Sequence, residues 1–239
     1  MMGSAMQEPA LRGAPMRGGP MRGSTMRGAA MRGARALVTA LLLLFAVAGV
    51  APAQQPDALE LYRQGRFEDA VDVTLEEIAR EERNMNAYTV LGWSLLALGR
   101  YEEALEYGLQ ALEISRFDSR IIQIVGEANY FLGNNMEALE YLQEYVAISP
   151  TGSLIDQVYY YLGEIFIDFG EYHHADIALS AAVYHEDAVA SWWSRLGFVR
   201  EQLQDYQYAL EAYDRALELN PNLGSATQGR QRVRAALSG

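Results

Sequence analysis

Apolar positions in the body of the chain, residues 54–239, recur at the spacing of an amphipathic helix. Two segments show the i, i+3, i+4, i+7 pattern: Tyr88, Leu91, Gly92 and Leu95 in one, and Tyr159, Leu162, Gly163 and Phe166 in the other. This spacing places apolar side chains along one face of a helix. No segment shows a convincing strand pattern, so the sequence predicts an all-helical body.

The helical segments also repeat with a fixed period. Three columns carry the repeat: Gly92, Gly126, Gly163 and Gly197; Ala70, Ala104, Ala138, Ala175 and Ala209; and Gly65, Gly99, Gly133 and Gly170. Neighbours within each column lie 34 residues apart, except for one interval of 37 that all three columns share. The three extra residues fall near positions 151–153. Agreement of three columns on one insertion indicates a true internal repeat.

A turn divides each repeat into two helices. Gly99 and Gly170 stand at the end of the first helix, where a residue with positive φ is often needed. The second helix begins with acidic residues, such as Glu102 and Glu103, which favour the positive end of the helix dipole. Each repeat therefore predicts a helical hairpin that buries its apolar face by stacking on its neighbours.

This pattern resembles the tetratricopeptide repeat family, whose unit is a helical hairpin of 34 residues. The best match is carried by Trp193, Leu196, Gly197, Tyr206, Ala209, Tyr213, Ala216 and Pro221. The resemblance covers residues 56–223, divided as 56–84, 85–118, 119–152, 156–189 and 190–223, with a truncated first unit. It implies an all-α fold, a right-handed α-solenoid of about five tetratricopeptide hairpins, with residues 224–239 as a capping helix. Asn129 and Arg200 depart from the family pattern at positions that are usually large and apolar, so looser packing is expected there.

In such arrays the first helices of the hairpins line a concave groove that binds a partner. Mapped onto this chain, the groove lining implied by the resemblance is Trp93, Leu96, Arg120, Gln123, Glu127, Tyr130, Phe131, Tyr160, Glu164, Ile167, Asp168, Phe198, Glu201 and Gln202. Aromatic side chains beside carboxylates suit a segment with apolar and basic side chains. Several of these aromatic residues have an alternative role in contacts between repeats. Arg120 is the only cation expected in the groove.

The N-terminal residues look like a targeting signal rather than part of the fold. Residues 1–35 are of low complexity, with Met-Arg-Gly recurring every five residues, and are predicted to be disordered or to lie upstream of the true start. Residues 36–50 are an apolar run preceded by Arg32 and Arg35, and small residues follow at 51–53. This layout is typical of a secretory signal peptide cleaved after Ala53, with an uncleaved membrane anchor as the alternative. Either way the body is expected outside the cytoplasm, periplasmic or secreted.

Charge narrows the choice of partners. The formal net charge of the chain is −12, and the first 53 residues carry six Arg against Glu8 alone, so residues 54–239 sum to −17. A strongly acidic body repels phosphate backbones, which argues against nucleic-acid binding. We therefore expect a protein or peptide partner with apolar and basic side chains, membrane contact only through an uncleaved N-terminal segment, and self-association as a further option.

The sequence gives little indication of a catalytic or metal-binding site. The chain has no Cys and three histidines, and the adjacent pair His173 and His174 point about 100° apart on a helix, so a zinc site is not expected. No phosphate-binding loop and no Gly-x-Ser-x-Gly motif is present. We therefore expect no catalytic residues, no metal and no cofactor. A disguised catalytic domain would instead show a deep pocket with several groups of perturbed pKa.

The expected function is thus a non-catalytic scaffold or adaptor that binds a peptide segment or a partner subunit in the groove. The alternative is an envelope-assembly factor tethered to the membrane by an uncleaved N-terminal helix.

Overall fold

The computed structural model describes residues 57–239, and these residues form α-helices joined by short turns. The helices are α1 (Ala58–Arg63), α2 (Phe67–Arg80), α3 (Met85–Ala97), α4 (Tyr101–Ile114), α5 (Ser119–Phe131), α6 (Asn135–Ile148), α7 (Ile155–Asp168), α8 (Tyr172–His185), α9 (Ala190–Gln202), α10 (Tyr206–Leu219) and α11 (Gly224–Ser238). The predicted signal segment and low-complexity segment lie outside the described residues. None of the described helices is long and apolar enough to span a bilayer.

Successive helices pair as hairpins, and the hairpins stack. We call α1, α3, α5, α7 and α9 the first helices. The first helices α1, α3 and α5 each pack on the next first helix along the chain, and α11 packs on both α9 and α10. The expectation of an all-α solenoid of about five hairpins with a C-terminal capping helix is confirmed.

The core runs through the stack as adjoining clusters of buried apolar side chains. One cluster contains Leu162, the second contains Leu179 and the third contains Tyr213. Phe166 packs against the first and second clusters, and Trp193 packs against the second and third. The alanines of the repeat column are fully buried, which lets neighbouring helices approach closely. Gly163 shows how close that approach is, because a Cβ built there would lie 2.6 Å from Cγ of Leu179.

The turns inside the hairpins share one backbone geometry. Gly170 has φ +74°, and the N–H of Glu171 donates to the carbonyl of Phe166 at 2.8 Å, which closes the helix C-terminus. In the fifth hairpin the same position is Gln204, with φ +62°, and the N–H of Asp205 donates to the carbonyl of Arg200 at 2.9 Å. The fold therefore imposes a left-handed conformation on a residue that is not glycine.

The two departures from the family pattern are satisfied by polar contacts. Asn129 is buried, and its Nδ2 donates to the carbonyl of Val125 at 2.9 Å while its Oδ1 accepts from Asn134. Arg200 donates through Nε to Asp176 at 2.9 Å, and through Nη2 to a serine of α8. Hydrogen bonds thus take the place of apolar contacts in these two hairpins.

Candidate functional site

The first helices line an open cavity of about 410 Å³, which we call the central cavity. Its lining comes from α1, α3, α5, α7 and the loop before α7, and consists of Tyr62, Trp93, Leu96, Ala97, Gln123, Glu127, Phe131, Ser153, Leu154, Gln157 and Tyr161. Its volume lies within the range of ligand-binding clefts. Ser153 belongs to the three-residue insertion, and Leu154 follows it, so the break in repeat register contributes directly to this cavity.

Aromatic rings form two walls of the central cavity. The rings of Tyr62 and Trp93 have centroids 5.8 Å apart, and those of Phe131 and Tyr161 are 5.7 Å apart at an angle of 74°. Tyr130 contacts both rings of the second pair, at 5.2 and 4.8 Å. Aromatic rings carry faces of negative potential, which attract apolar groups and cations.

Glu127 is the buried carboxylate of the central cavity. Only 7% of its surface is exposed, and its Oε1 has no hydrogen-bond partner among the described residues. Burial raises the pKa of Glu127 to about 7, against an opposing effect of the neighbouring Gln123 amide. Gln123 is itself held in place, because its Oε1 accepts a hydrogen bond from Nε1 of Trp93 at 3.2 Å. The cavity therefore presents a carboxylate that lacks a counter-charge.

The next glutamate along this surface is paired. Arg195 donates to both carboxylate oxygens of Glu164, through Nε at 2.6 Å and Nη2 at 2.7 Å. The guanidinium carbon of Arg195 lies 5.3 Å from the ring centroid of Phe198. Arg120 is therefore not the only cation beside the expected groove residues, because Arg195 contacts Glu164.

Glu201 is paired in the same way, near the C-terminal end. Arg232 donates to both of its oxygens at 2.7 and 2.8 Å, and the hydroxyl of Tyr213 donates at 2.8 Å. The hydrogen bonds from Arg232 lower the pKa of Glu201, while burial and the neighbouring carboxylate raise the pKa of Tyr213. This carboxylate is therefore already neutralised by the capping helix.

The remaining residues of the expected groove have separate environments. Tyr160 stacks on Trp192 at 5.1 Å, and burial raises the pKa of its hydroxyl to about 12. Ile167 packs against the second core cluster. Arg120 pairs with Asp118 at 2.7 Å and lines a second cavity beside Trp93. Asp168 accepts a hydrogen bond from Asn135, and Gln202 is exposed.

The structure thus brings five of the expected groove residues into one cavity: Trp93, Leu96, Gln123, Glu127 and Phe131. Sequence reasoning missed Tyr62, Tyr161, Arg195 and Arg232. For the two arginines a signal exists in the sequence, because each lies 31 residues after its glutamate.

The histidines do not form a site. His173 and His174 are exposed, and Nδ1 of His174 lies 3.4 Å from a carboxylate oxygen of Glu171. Within residues 57–239 no group of three or more potential ligands is placed to hold a metal ion.

Comparison with known proteins identifies the repeat. The tetratricopeptide repeat family is matched twice, over residues 57–119 and over residues 190–223. No curated protein matches this chain in sequence.

Solved structures show the same fold. MamA from Desulfovibrio magneticus RS-1 superposes with a TM-score of 0.60 at 21% identity, covering 70% of this chain and 93% of that one. YrrB, described as a TPR protein with an unusual peptide-binding site, superposes with a TM-score of 0.60 at 19% identity, covering 73% of this chain and 88% of that one. A thermophilic TPR protein of Thermus thermophilus superposes with a TM-score of 0.53 at 22% identity, covering 76% of this chain and 96% of that one. The chain therefore carries tetratricopeptide repeats, and residues 57–239 have the solenoid fold of such repeats.

Proposed function

We propose that this protein is a non-catalytic adaptor that binds a segment of a partner protein along its first helices, across the central cavity. The tetratricopeptide fold supports a protein-interaction scaffold. The observation that carries the more specific proposal is the central cavity itself, which has aromatic walls and is lined by four successive first helices and the loop before α7. A partner with apolar and basic side chains suits this lining, because the surface offers ring faces and a carboxylate.

The rigidity of the site also favours binding. Trp93 is fixed by its hydrogen bond to Gln123, and Phe131 is stacked on Tyr101 at 4.6 Å. Because these side chains are held in place before a ligand arrives, little conformational entropy is lost when the segment binds. The similar protein YrrB carries a peptide-binding site by its own description, which agrees with this use of the fold.

The lining favours binding over catalysis. The described lining offers Glu127 and two tyrosines whose pKa values are raised by burial, and it includes no histidine. Three groups of raised pKa in one cavity are a feature expected of a catalytic site, and of these only Glu127 has a pKa near neutrality. Binding is favoured because the cavity is lined mainly by aromatic and apolar side chains.

The test is a selection of peptides from a random display library on the purified full chain, followed by measurement of Kd for the selected peptides. We expect peptides that bind the wild type and lose at least about tenfold in affinity for a Trp93→Ala, Phe131→Ala variant. Ile177→Ala is the matched control, because Ile177 is 68% exposed on α8 and lies outside the central cavity. Failure to select any peptide, or equal binding by the cavity variant, would refute the proposal.

We also propose that the protein is exported through the signal segment at 36–53, with tethering by an uncleaved segment as the alternative. The support is the basic, apolar and small-residue order of these positions in the sequence. The mass and N-terminal sequence of the protein recovered from the periplasm of a bacterial host test this. A chain that begins at Gln54 supports cleavage, an intact chain in the membrane fraction supports tethering, and an intact cytoplasmic chain contradicts both.

A further inference from the structure

The pairing of Glu164 with Arg195 follows the repeat register. Glu164 comes directly after Gly163, the repeat glycine of α7. Arg195 lies two positions before Gly197, the repeat glycine of α9. The glutamate that follows one repeat glycine therefore pairs with the residue that lies two positions before the next repeat glycine.

One repeat earlier the same register is broken. Glu127 comes directly after Gly126, as Glu164 comes after Gly163. The residue two positions before the next repeat glycine is now Tyr161, which stands where Arg195 stands in the following repeat. Tyr161 and Glu127 line the same cavity. Glu127 thus occupies the position of the paired glutamate, but the residue in the partner position is a tyrosine instead of an arginine.

The consequence for Glu127 is visible in its surroundings. Its Oε1 is buried without a hydrogen-bond partner among the described residues, although the great majority of buried carboxylate oxygens have one. A buried charge without a counter-charge is costly, so the ionised form of Glu127 favours a ligand that brings a cation to it. The cavity beside it has room for a side chain, since it measures about 410 Å³.

We propose that the central cavity is a subsite for one arginine side chain of the bound partner segment, whose guanidinium pairs with Glu127 as Arg195 pairs with Glu164. This inference rests on the proposed function, because it names the side chain that the cavity selects. Arginine suits the site better than lysine for two reasons. Its planar guanidinium donates to both oxygens of a carboxylate, and it is weakly hydrated and stacks on aromatic faces. The protein already shows this arrangement where Arg195 bridges Glu164 and the ring of Phe198.

The aromatic walls complete the match. Trp93 and Tyr62 form one wall of the cavity, and Phe131 and Tyr161 form the other. Aromatic rings attract cations through their faces, and this cavity has aromatic rings in both walls. A neutral apolar side chain would fill the same space but would leave Glu127 without a counter-charge.

The experiment repeats the peptide selection on the full chain for the wild type, for Glu127→Gln and for Tyr161→Arg. Glu127→Gln keeps the shape of the side chain and removes its charge, and Tyr161→Arg supplies an internal guanidinium in the register of Arg195. We expect one position of the wild-type peptides to be enriched in arginine. Replacing that arginine by glutamine in a selected peptide should weaken binding to the wild type by about tenfold or more. The same replacement in the peptide should have little effect on its binding to either protein variant. Circular dichroism should first show that both variants are helical.

The outcomes separate the two proposals. If peptides are selected but no arginine position emerges, or lysine is preferred there, or the same enrichment persists with Glu127→Gln, the arginine subsite is refuted and groove binding stands. If no peptide is selected by the wild type, the proposed function fails and the subsite fails with it. Loss of arginine selectivity in Glu127→Gln, with the rest of the consensus retained, supports the subsite.

Discussion

Arg195 holds the carboxylate of Glu164 at both oxygens, and this ion pair joins the fourth and fifth repeats across the stack. The Glu164 side chain is only 14% exposed and that of Arg195 is 35% exposed. A partly buried pair with two parallel hydrogen bonds differs from the exposed ion pairs on the helix surfaces, because removal of one partner leaves the other poorly solvated.

Replacing Arg195 by methionine should therefore destabilise the protein. We expect the free energy of unfolding to fall by about 2 kcal/mol, below the range for fully buried pairs because Arg195 is partly exposed. Urea denaturation followed by circular dichroism measures the change. The double variant Arg195→Met, Glu164→Gln should recover part of the loss. The exposed pair Arg66 and Asp69 is the control, and Arg66→Met should change the free energy by less than about 0.5 kcal/mol.

Glu127 should make the stability of the protein depend on pH near neutrality. Its pKa is raised by burial from 4.5 to about 7, so the folded protein binds this proton more tightly than the unfolded chain does. The resulting stability is fully present below the unfolded pKa of 4.5 and is lost as the pH rises through about 7. This difference in pKa between the folded and unfolded states lowers the free energy of unfolding by about 3 kcal/mol across this pH window.

Glu127→Gln should remove this dependence, so the measurement is urea denaturation of both proteins at a series of pH values from mildly acidic to mildly basic. Asp118, Glu103 and Glu201 do not confound it, because hydrogen bonds from arginines lower their pKa values and they titrate below the window. Parallel curves for the wild type and the variant would contradict the burial of an unpaired carboxylate at this position.

Gly163 should resist substitution by alanine. A Cβ at this position would lie 2.6 Å from Cγ of Leu179 and 2.7 Å from its Cδ2, so the Leu179 side chain or its helix α8 would have to shift. Overpacking of this kind costs about 1 to 3 kcal/mol, which exceeds the gain in helix propensity. Thermal denaturation should show a lower midpoint for Gly163→Ala. Gly224→Ala is the control, because a Cβ added there would meet no atom within 4 Å and the midpoint should not fall.

Gln204 offers the opposite case. It occupies the turn position that is glycine in the other four hairpins, and it has φ +62°. Left-handed conformations cost side chains with a Cβ about 1 kcal/mol, so Gln204→Gly should raise the free energy of unfolding by about that amount. Gly170→Gln makes the reverse change at the same turn position one repeat earlier, and it should lower stability by a similar amount in the same denaturation experiment. Equal stability of Gln204→Gly and the wild type would show that the turn carries little strain.

The sequence predicted the fold well because the fold depends on short-range periodicity. The spacing of Gly126, Gly163 and Gly197 is enough to define hairpins and their stacking. The site was harder to predict, because it depends on how long side chains reach between repeats. Glu127 and Glu164 occupy equivalent positions on equivalent helices, yet one is unpaired and the other is bound by Arg195. The sequence does differ in the next repeat, where Tyr161 stands in the place of Arg195. Helical periodicity alone does not show that this residue reaches back to the glutamate, so the difference gained its meaning only from the structure.

The ion pairs between successive elements of the stack affect how the array responds to force. Arg195 ties the fifth repeat to the fourth, and Arg232 ties the capping helix to the fifth repeat, so the C-terminal half of the array resists bending and stretching through charge as well as through packing. At Glu127 and Tyr161 the corresponding ion pair is missing, so the boundary between the third and fourth repeats is held by packing and by the hydrogen bond from Asn135 to Asp168. A guanidinium bound to Glu127 would add an ion pair at that boundary, so a partner that binds there would link two repeats mechanically as well as occupy a site.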